Sequence, residues 1–416
     1  MYTTHKTCPT GWDAVVYILP IFVLQYMVGV LVQLKHTVLL RIALPPLMLC
    51  VILRALSVLD FSCGQQDQSH HIAVFFISIA SIVGRTVVWT LARRPYKRDN
   101  VSAAESTSIP MACWNAWDLQ WNPRGIGWNW SQGIPIRRSS LQLQSRSQFL
   151  LFAITRFAFL LVMSDVFMEP LHAQFSSLSP RDIHTIFDHS LPLIPRYIRI
   201  LQIVYVVLWD AYFTIEKGYQ LLSVIFVILF WQHPSQWPPL FDKPWLSTSL
   251  SDLWGRRWHQ MLRQSAVALG GSPLACFLGR PGYVLGTFLF SGAIHCAQFL
   301  ATKRGGNPMF EGGFFVMNGV GILLERAWSK MTGRRVGGVY GWMWTFLWVT
   351  VWAVPMMDQW AAMGRFDAGA TLGDFRPAMF LLSLVLPTTT DKGFVVSCLC
   401  FGISVSFLVY SLFTLC

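Results

Sequence analysis

Twelve apolar stretches follow one another along this chain, and eight of them reach the length of about 20 residues that a helix needs to cross the hydrocarbon core of a bilayer. The long ones cover 14–34, 38–59, 72–92, 149–168, 197–215, 283–302, 339–357 and 394–413. Shorter ones lie at 219–231, 265–278, 313–328 and 378–386. Backbone that meets lipid must satisfy its hydrogen bonds within its own segment, so spans of this kind are helices. The sequence therefore predicts an all-α, polytopic integral membrane protein with about 8–10 transmembrane helices, in which short segments such as 265–278 suit a re-entrant path. Composition agrees. Only 12% of the 416 residues are charged and 54% are hydrophobic, with a mean hydropathy of +0.46. A soluble chain carries about 25% charge to clothe its surface in water. A cytosolic enzyme, a disordered or collagen-like chain, a coiled coil and a disulfide-rich secreted protein are all excluded. With no internal repeat and no low-complexity tract, one membrane-embedded domain is expected over 1–416.

Charge sets the expected orientation. The 32 Lys and Arg exceed the 20 Asp and Glu by 12, and in a membrane protein such an excess marks cytoplasmic loops beside anionic headgroups rather than a nucleic-acid partner. The polar loop 93–148 carries Arg93, Arg94, Lys97, Arg98, Arg124, Arg137, Arg138 and Arg146. With three spans before it, a cytoplasmic loop there puts the N-terminus in the lumen. The first span has no basic run and short apolar core of the signal-peptide kind, so it is expected to be retained. The sequons at Asn100 and Asn129 fall in this loop and are expected to stay unglycosylated. Cysteines such as Cys50, Cys276, Cys296, Cys398 and Cys400 lie within apolar stretches and form no CxxC pair, so neither a disulfide framework nor a metal site is expected. Many of the 19 tryptophans cluster at segment ends, as an interfacial aromatic belt would place them.

Three patches depart from that background. His295 lies mid-segment, with no acidic or basic residue between Arg280 and Lys303. Ser291 is one turn before it and Gln298 three residues after it, on the same helical face. A neutral imidazole there can take a proton from a hydroxyl, or it can be a core histidine bonded to a carbonyl. The second patch is Ser251-Asp-Leu-Trp-Gly-Arg-Arg-Trp-His-Gln260, with Arg263 beyond it. As one helix capped by Ser251, it would set Trp254, Trp258 and Met261 in one row and Arg256, His259 and Arg263 in the next. Such a surface suits a flat ring carrying phosphates, or simply an interfacial amphipathic helix. The third is Asn122-Pro-Arg-Gly-Ile-Gly-Trp-Asn-Trp130, a tight aromatic turn that lacks the strand and third glycine of a nucleotide-binding fingerprint.

Taken together, Trp-Gly-Arg-Arg-Trp-His followed 36 residues later by an isolated histidine resembles the wax synthase-like branch of the membrane-bound O-acyltransferases. The Arg-Gly-Ile-Gly-Trp-Asn-Trp patch resembles the form found in fungal members, which include acetyltransferases of terpenoid and meroterpenoid pathways. The resemblance implies a ring of tilted helices around a tunnel, with residues 232–302 as the catalytic region. It implies that His295 is the catalytic base and that Trp254, Arg256, Arg257, Trp258 and Arg263 serve the acyl-CoA side. Many members carry Asn at the position of His259, so His259 either orients the thioester or adds a second proton relay. Ser291, Gln298 and Asn318 would line the tunnel, and His259, Gln298 or Asn318 could steady the oxyanion.

The implied reaction is transfer of a short acyl group, most simply acetyl from acetyl-CoA, to the hydroxyl of a lipophilic terpenoid, without metal, in the endoplasmic reticulum membrane. A wax ester or sterol ester synthase is the alternative within the family, and a transporter of a lipophilic solute the alternative outside it. Diphosphate chemistry would want paired Asp-rich Mg²⁺ motifs, which the chain lacks. A covalent route through Cys296 is disfavoured because adjacent helical residues point about 100° apart. The oligomeric state is left open.

Overall fold

The computed structural model describes residues 7–61, 69–99, 108–131, 134, 145–176, 185–302, 305–366, 376–386 and 392–415. In chain order the main helices are α1 (Gly11–Leu31), α2 (Val38–Val58), α3 (Ser69–Leu91), α4 (Ile109–Trp121), α5 (Arg146–Ser176) and α6 (Leu193–Leu229). There follow α7 (263–278) and α8 (280–301), then α9 (Met309–Thr332), α10 (Gly338–Ala362), α11 (Pro377–Val385) and α12 (Lys392–Leu415). Among the described residues, strand pairing is limited to two isolated bridges, Thr7 with Leu59 and Arg98 with Trp128. Among the described residues, five helical runs are both long and apolar enough to cross a membrane: α1, α2, α5, α6 and the Arg263–Ala301 run. Side chains such as Leu39 and Phe277, each 84% exposed, would be untenable in water and are at home in lipid. The chain is an all-α integral membrane protein.

One sequence expectation changes. The stretches 197–215 and 219–231 form one helix of 37 residues, because the Glu216-Lys217 break between them is absorbed rather than expelled. Glu216 is 2% exposed and pairs with Arg156 of α5 at 3.0 Å, while Lys217 is buried within reach of the charges of Asp210 and Asp165. The polar loop 93–148 also contains a helix: α4, at 13 residues, is too short to span but buries Ala112, Ala116 and Leu119.

The described helices divide into two compact units. One comprises Met1–Ile134 and Gln260–Lys303. In it α1 packs against α2, α3 and α4, around Ile21, Leu24, Met48 and Ile79 at one level and Val28, Val32, Trp89, Leu119 and Trp128 at another. Two buried arginines are held by helix ends. Arg41 donates to the carbonyls of Trp89 (2.5 Å) and Ala92 (3.0 Å) where α3 terminates. Arg85 donates to the carbonyls of Leu119 and Gln120 where α4 terminates. The last carbonyls of a helix have no partner in the helix and carry its negative dipole end, so a guanidinium satisfies both needs at once.

The other unit comprises Pro135–His259 and Arg304–Cys416. Here α5 and α6 pack along their lengths, with Phe167, Trp209 and Phe213 in contact. Arg376, just before α11, donates to Asp165 at 2.7 Å and pairs with Glu169, while the Ala378 N–H donates to Asp165 at 2.9 Å. Ser164 donates to Asp210 at 2.7 Å. Each of these carboxylates meets a cation or a hydrogen-bond donor, which is what makes a buried charge tolerable.

Candidate functional site

The upstream motif lies in the second unit, and it is not one helix. The expected helix over 251–263 forms only as a short turn, Leu250–Asp252, continued by a π-helical turn, Leu253–Arg257. Trp258 is extended (φ −77°, ψ 153°), and helix resumes only at Arg263. The cap is Ser249, whose hydroxyl accepts from the Asp252 N–H at 3.0 Å, and not Ser251. Two groups explain the break. Glu325 of α9 takes the N–H groups of Leu250 (2.6 Å) and Ser251 (3.1 Å) and the Ser251 hydroxyl (2.8 Å), which fixes the start. Arg257 donates to the carbonyls of Asp242 (3.0 Å) and Lys243 (3.2 Å) while its own carbonyl accepts from the Asp242 N–H at 2.9 Å, which draws the end of the turn onto the 242–243 loop. The two rows of side chains therefore do not form as expected. Trp254 and Trp258 still touch, with ring centroids 5.8 Å apart. π-helical turns are uncommon and concentrate at functional sites.

Around this turn the side chains are tightly committed. Trp254 donates its indole N–H to Asn318 Oδ1 at 3.0 Å, and fully buried Asn318 donates to the Phe314 carbonyl at 2.8 Å. Asn318 thus fixes the orientation of Trp254. His259 stacks edge-on to Phe241 at 5.8 Å and beside Trp258 at 5.7 Å. Arg256 pairs with Asp252 (2.8 Å) and Asp242 (3.1 Å), and Arg257 pairs with Asp252 (2.5 Å). Two cations and two carboxylates make a quartet with no net charge.

His295, Ser291, Gln298 and Arg263 belong to the first unit. Their helices form a hairpin rather than a single 39-residue rod. Gly279 adopts φ 60°, ψ −140°, a conformation closed to other residues, and α8 folds back on α7. Gly270 and Gly286 bring the two backbones together, and a side chain at either would strike the other's carbonyl; Gly282 faces Leu274 in the same way. This accords with a re-entrant path for 265–278. His295 is half-buried, and the Gln298 side-chain carbonyl is buried without a hydrogen-bond partner among the described residues. Arg263 donates to Gln260 Oε1 at 2.9 Å, and Gln264 donates to the Tyr96 hydroxyl at 3.1 Å. Burial pushes the Tyr96 phenol up to about 12.

The Asn122–Trp130 patch is a structural knot in the same unit. Asp118 receives the Trp128 indole N–H at 2.8 Å and pairs with Arg98 at 2.7 Å. Asn129 accepts from the Lys97 N–H and donates to the Pro95 carbonyl, and Ser131 is buried with its hydroxyl on the Gly125 carbonyl. The other sequon, at Asn100, lies outside the described residues.

Sequence reasoning missed Glu325, Asp242 and Asp252 as site-forming groups, and the buried acids include Asp118, Asp165, Glu169, Glu216, Glu311 and Glu325. Glu325 had the signal that singled out His295: an ionisable residue inside the apolar stretch 313–328. Asp242 and Asp252 had none, since an acid beside arginines in a polar segment is commonplace.

Residues 237–317 match the membrane bound O-acyl transferase family. The chain is 30% identical over 160 residues to acetyltransferase aurG of Calcarisporium arbuscula, covering 35% of this chain and 38% of that one. It is 28% identical over 250 residues to O-mevalon transferase yanI of Aspergillus niger, covering 54% and 55%. A probable long-chain-alcohol O-fatty-acyltransferase of Arabidopsis thaliana is 42% identical over 95 residues, 20% of this chain and 26% of its own. The first two matches span between about a third and just over half of those relatives' lengths. The resemblance carried by the motifs is borne out by this family match over residues 237–317, in an all-α integral membrane protein.

Proposed function

We propose that the protein transfers an acyl group, most simply acetyl from acetyl-CoA, to the hydroxyl of a lipophilic terpenoid or meroterpenoid alcohol. The observation that carries this reading is the family match over 237–317, which contains the Trp254–His259 turn and His295 together. His295 removes the hydroxyl proton as the oxygen attacks the thioester carbonyl. The tetrahedral intermediate collapses with cleavage of the C–S bond, and the proton passes to the departing thiolate. A positioned base of this kind contributes about 10²–10⁴-fold. Trp254, Arg256, Arg257, Trp258, His259 and Arg263 serve the donor; Ser291, Gln298 and Asn318 belong to the tunnel side. The basic loop 93–148 supports cytoplasmic access for CoA, a lumenal N-terminus and residence in the endoplasmic reticulum. The single domain over 1–416 belongs to the same reading, as does reaction without metal.

The Arabidopsis relative favours a second reading, esterification of long-chain alcohols. Microsomes containing the protein or its His295→Ala variant, given labelled acetyl-CoA or a long-chain acyl-CoA with terpenoid, sterol and long-chain alcohols, separate the two. An acetylated terpenoid made only by the native protein supports the first reading. A wax ester replaces it with the second, and saturable solute uptake without any ester replaces both with a transporter.

A further inference from the structure

Two adjacent residues of α10, Asp358 and Gln359, each hold a distant segment with one terminal atom and leave the other unused. Asp358 Oδ1 accepts from the Thr185 hydroxyl (2.6 Å) and the Ile186 N–H (3.0 Å), while Oδ2 makes no hydrogen bond among the described residues. Gln359 Oε1 accepts from the Asn307 N–H at 2.5 Å. That N–H can only donate, so it fixes which way the amide is turned. Gln359 is 9% exposed, and its Nε2 is buried with no hydrogen-bond partner among the described residues. An unpaired buried donor is costly, and buried polar groups of native proteins nearly always find a partner. Both residues line a cavity of about 580 Å³ within the second unit. Small-molecule sites occupy about 300–1,000 Å³. The remaining described lining residues, Phe187, Phe310, Val354 and Pro355 among them, bring no other polar side chain to it.

We propose that this cavity binds a lipophilic alcohol, whose hydroxyl accepts from Gln359 Nε2 and donates to Asp358 Oδ2 while its apolar body lies against the aromatic and aliphatic wall. The two side-chain atoms select the group. A hydroxyl accepts and donates at once. An ether or ketone can only accept and leaves the carboxylate unanswered, and an ammonium can only donate and leaves the amide unpaired. A fatty acid sets a second carboxylate beside Asp358, and an alkane answers neither group. The proposal concerns binding alone and does not depend on the acyl-transfer reading.

The test uses the full-length protein in lipid nanodiscs and a hexadecanol that carries a diazirine on its chain. Irradiation and peptide mass spectrometry should show saturable labelling within 306–310 and 354–363, displaced by unlabelled hexadecanol. Hexadecyl methyl ether and hexadecane should compete roughly tenfold or more weakly, because a site built around a hydroxyl is left with unpaired polar groups when the hydroxyl is missing. In Asp358→Asn the Ile186 N–H keeps the side-chain carbonyl and an NH₂ replaces Oδ2, so the preference for alcohol over ether should disappear. Ala362→Trp, at an exposed residue of the cavity wall, should block labelling and leaves both sets of hydrogen bonds in place. Labelling of the native protein that does not saturate, or that hexadecane displaces as well as hexadecanol, overturns the proposal without recourse to any variant. An undiminished preference for alcohol over ether in folded Asp358→Asn overturns it as well.

Discussion

At the scale of single residues, the site is defined by which polar groups are already spoken for. Asn318 illustrates this: its amide holds the Trp254 indole and the Phe314 carbonyl, so its first effect is to orient an aromatic ring. His295 is half-buried in an apolar arm, three residues before a glutamine whose side-chain carbonyl is buried. His295→Ala should abolish ester formation at normal protein level, whereas Cys296→Ser, on a neighbouring helical direction, should keep most of it; both are read by the microsomal assay. Retained turnover in the first variant ends the role of His295 as base, and lost turnover in the second with intact protein revives a thioester intermediate. Asn129 carries a separate lesson. Its amide bonds tie two loop segments together, and Ser131 is buried, so a glycan is incompatible with this fold on either side of a membrane. Mass spectrometry of the protein should find Asn129 unmodified. Asn129→Ala should lower thermal stability by an amount in keeping with about 0.5–1.5 kcal/mol for each lost bond.

At the scale of elements, the upstream motif is a turn held from outside. Glu325 Oε1 takes the Leu250 and Trp344 N–H groups and Oε2 takes both donors of Ser251, so Gln at this position must turn an amide NH₂ toward donors whichever way it is placed. Hydrogen bonds to a charged group are worth about 1.5–3 kcal/mol. Glu325→Gln should therefore raise the donor KM roughly tenfold or more while sparing kcat; a fall in kcat with unchanged KM would show that Glu325 acts elsewhere. The hairpin is as exacting. At Gly286 any side chain meets the carbonyl of Gly270, which is backbone and has no room to yield. Gly286→Leu should cost at least the roughly 1–3 kcal/mol of an overpacked core and separate the arms. Thermal unfolding followed by fluorescence should show a lower melting temperature for the variant than for the native protein, and an unchanged melting temperature would disprove the close pairing. The 265–278 segment was legible as short and broken; its direction of return was not, because a glycine at φ 60° reads in sequence like any other glycine.

At the scale of the whole molecule, charge pairing inside the helical units distinguishes this chain from a simple stack of apolar helices. Arg376 bonds both Asp165 and Glu169, and truncating it removes the cation that these two buried carboxylates contact directly. Breaking a buried pair costs about 3–5 kcal/mol, so Arg376→Ala should reduce membrane-integrated protein severely, with Asp165→Asn in the same chain restoring part of it. Fluorescence-detected size-exclusion chromatography reads both outcomes, and a monodisperse, fully expressed Arg376→Ala would remove the pairing from the account. The same pairings argue against ion-coupled transport, since these acids are already engaged.

Solvent, helical class and the position of the motif were determined by the sequence alone. Lipid follows from the missing charge, helices follow from lipid, and the tryptophan-arginine-histidine pattern draws attention to 232–302, which overlaps the family match over 237–317. Those are local or additive properties, readable one segment at a time. Tertiary structure decided whether Glu216 and Lys217 would end a helix or be buried in one, whether 251–263 would coil continuously, and which carboxylates would reach Arg256. Each answer depends on a partner far away in sequence: Arg156 for Glu216, Glu325 for the 250–251 backbone, Asp242 for Arg256. A buried charge is stable only where its counter-charge arrives, and local sequence does not specify which distant segment delivers it.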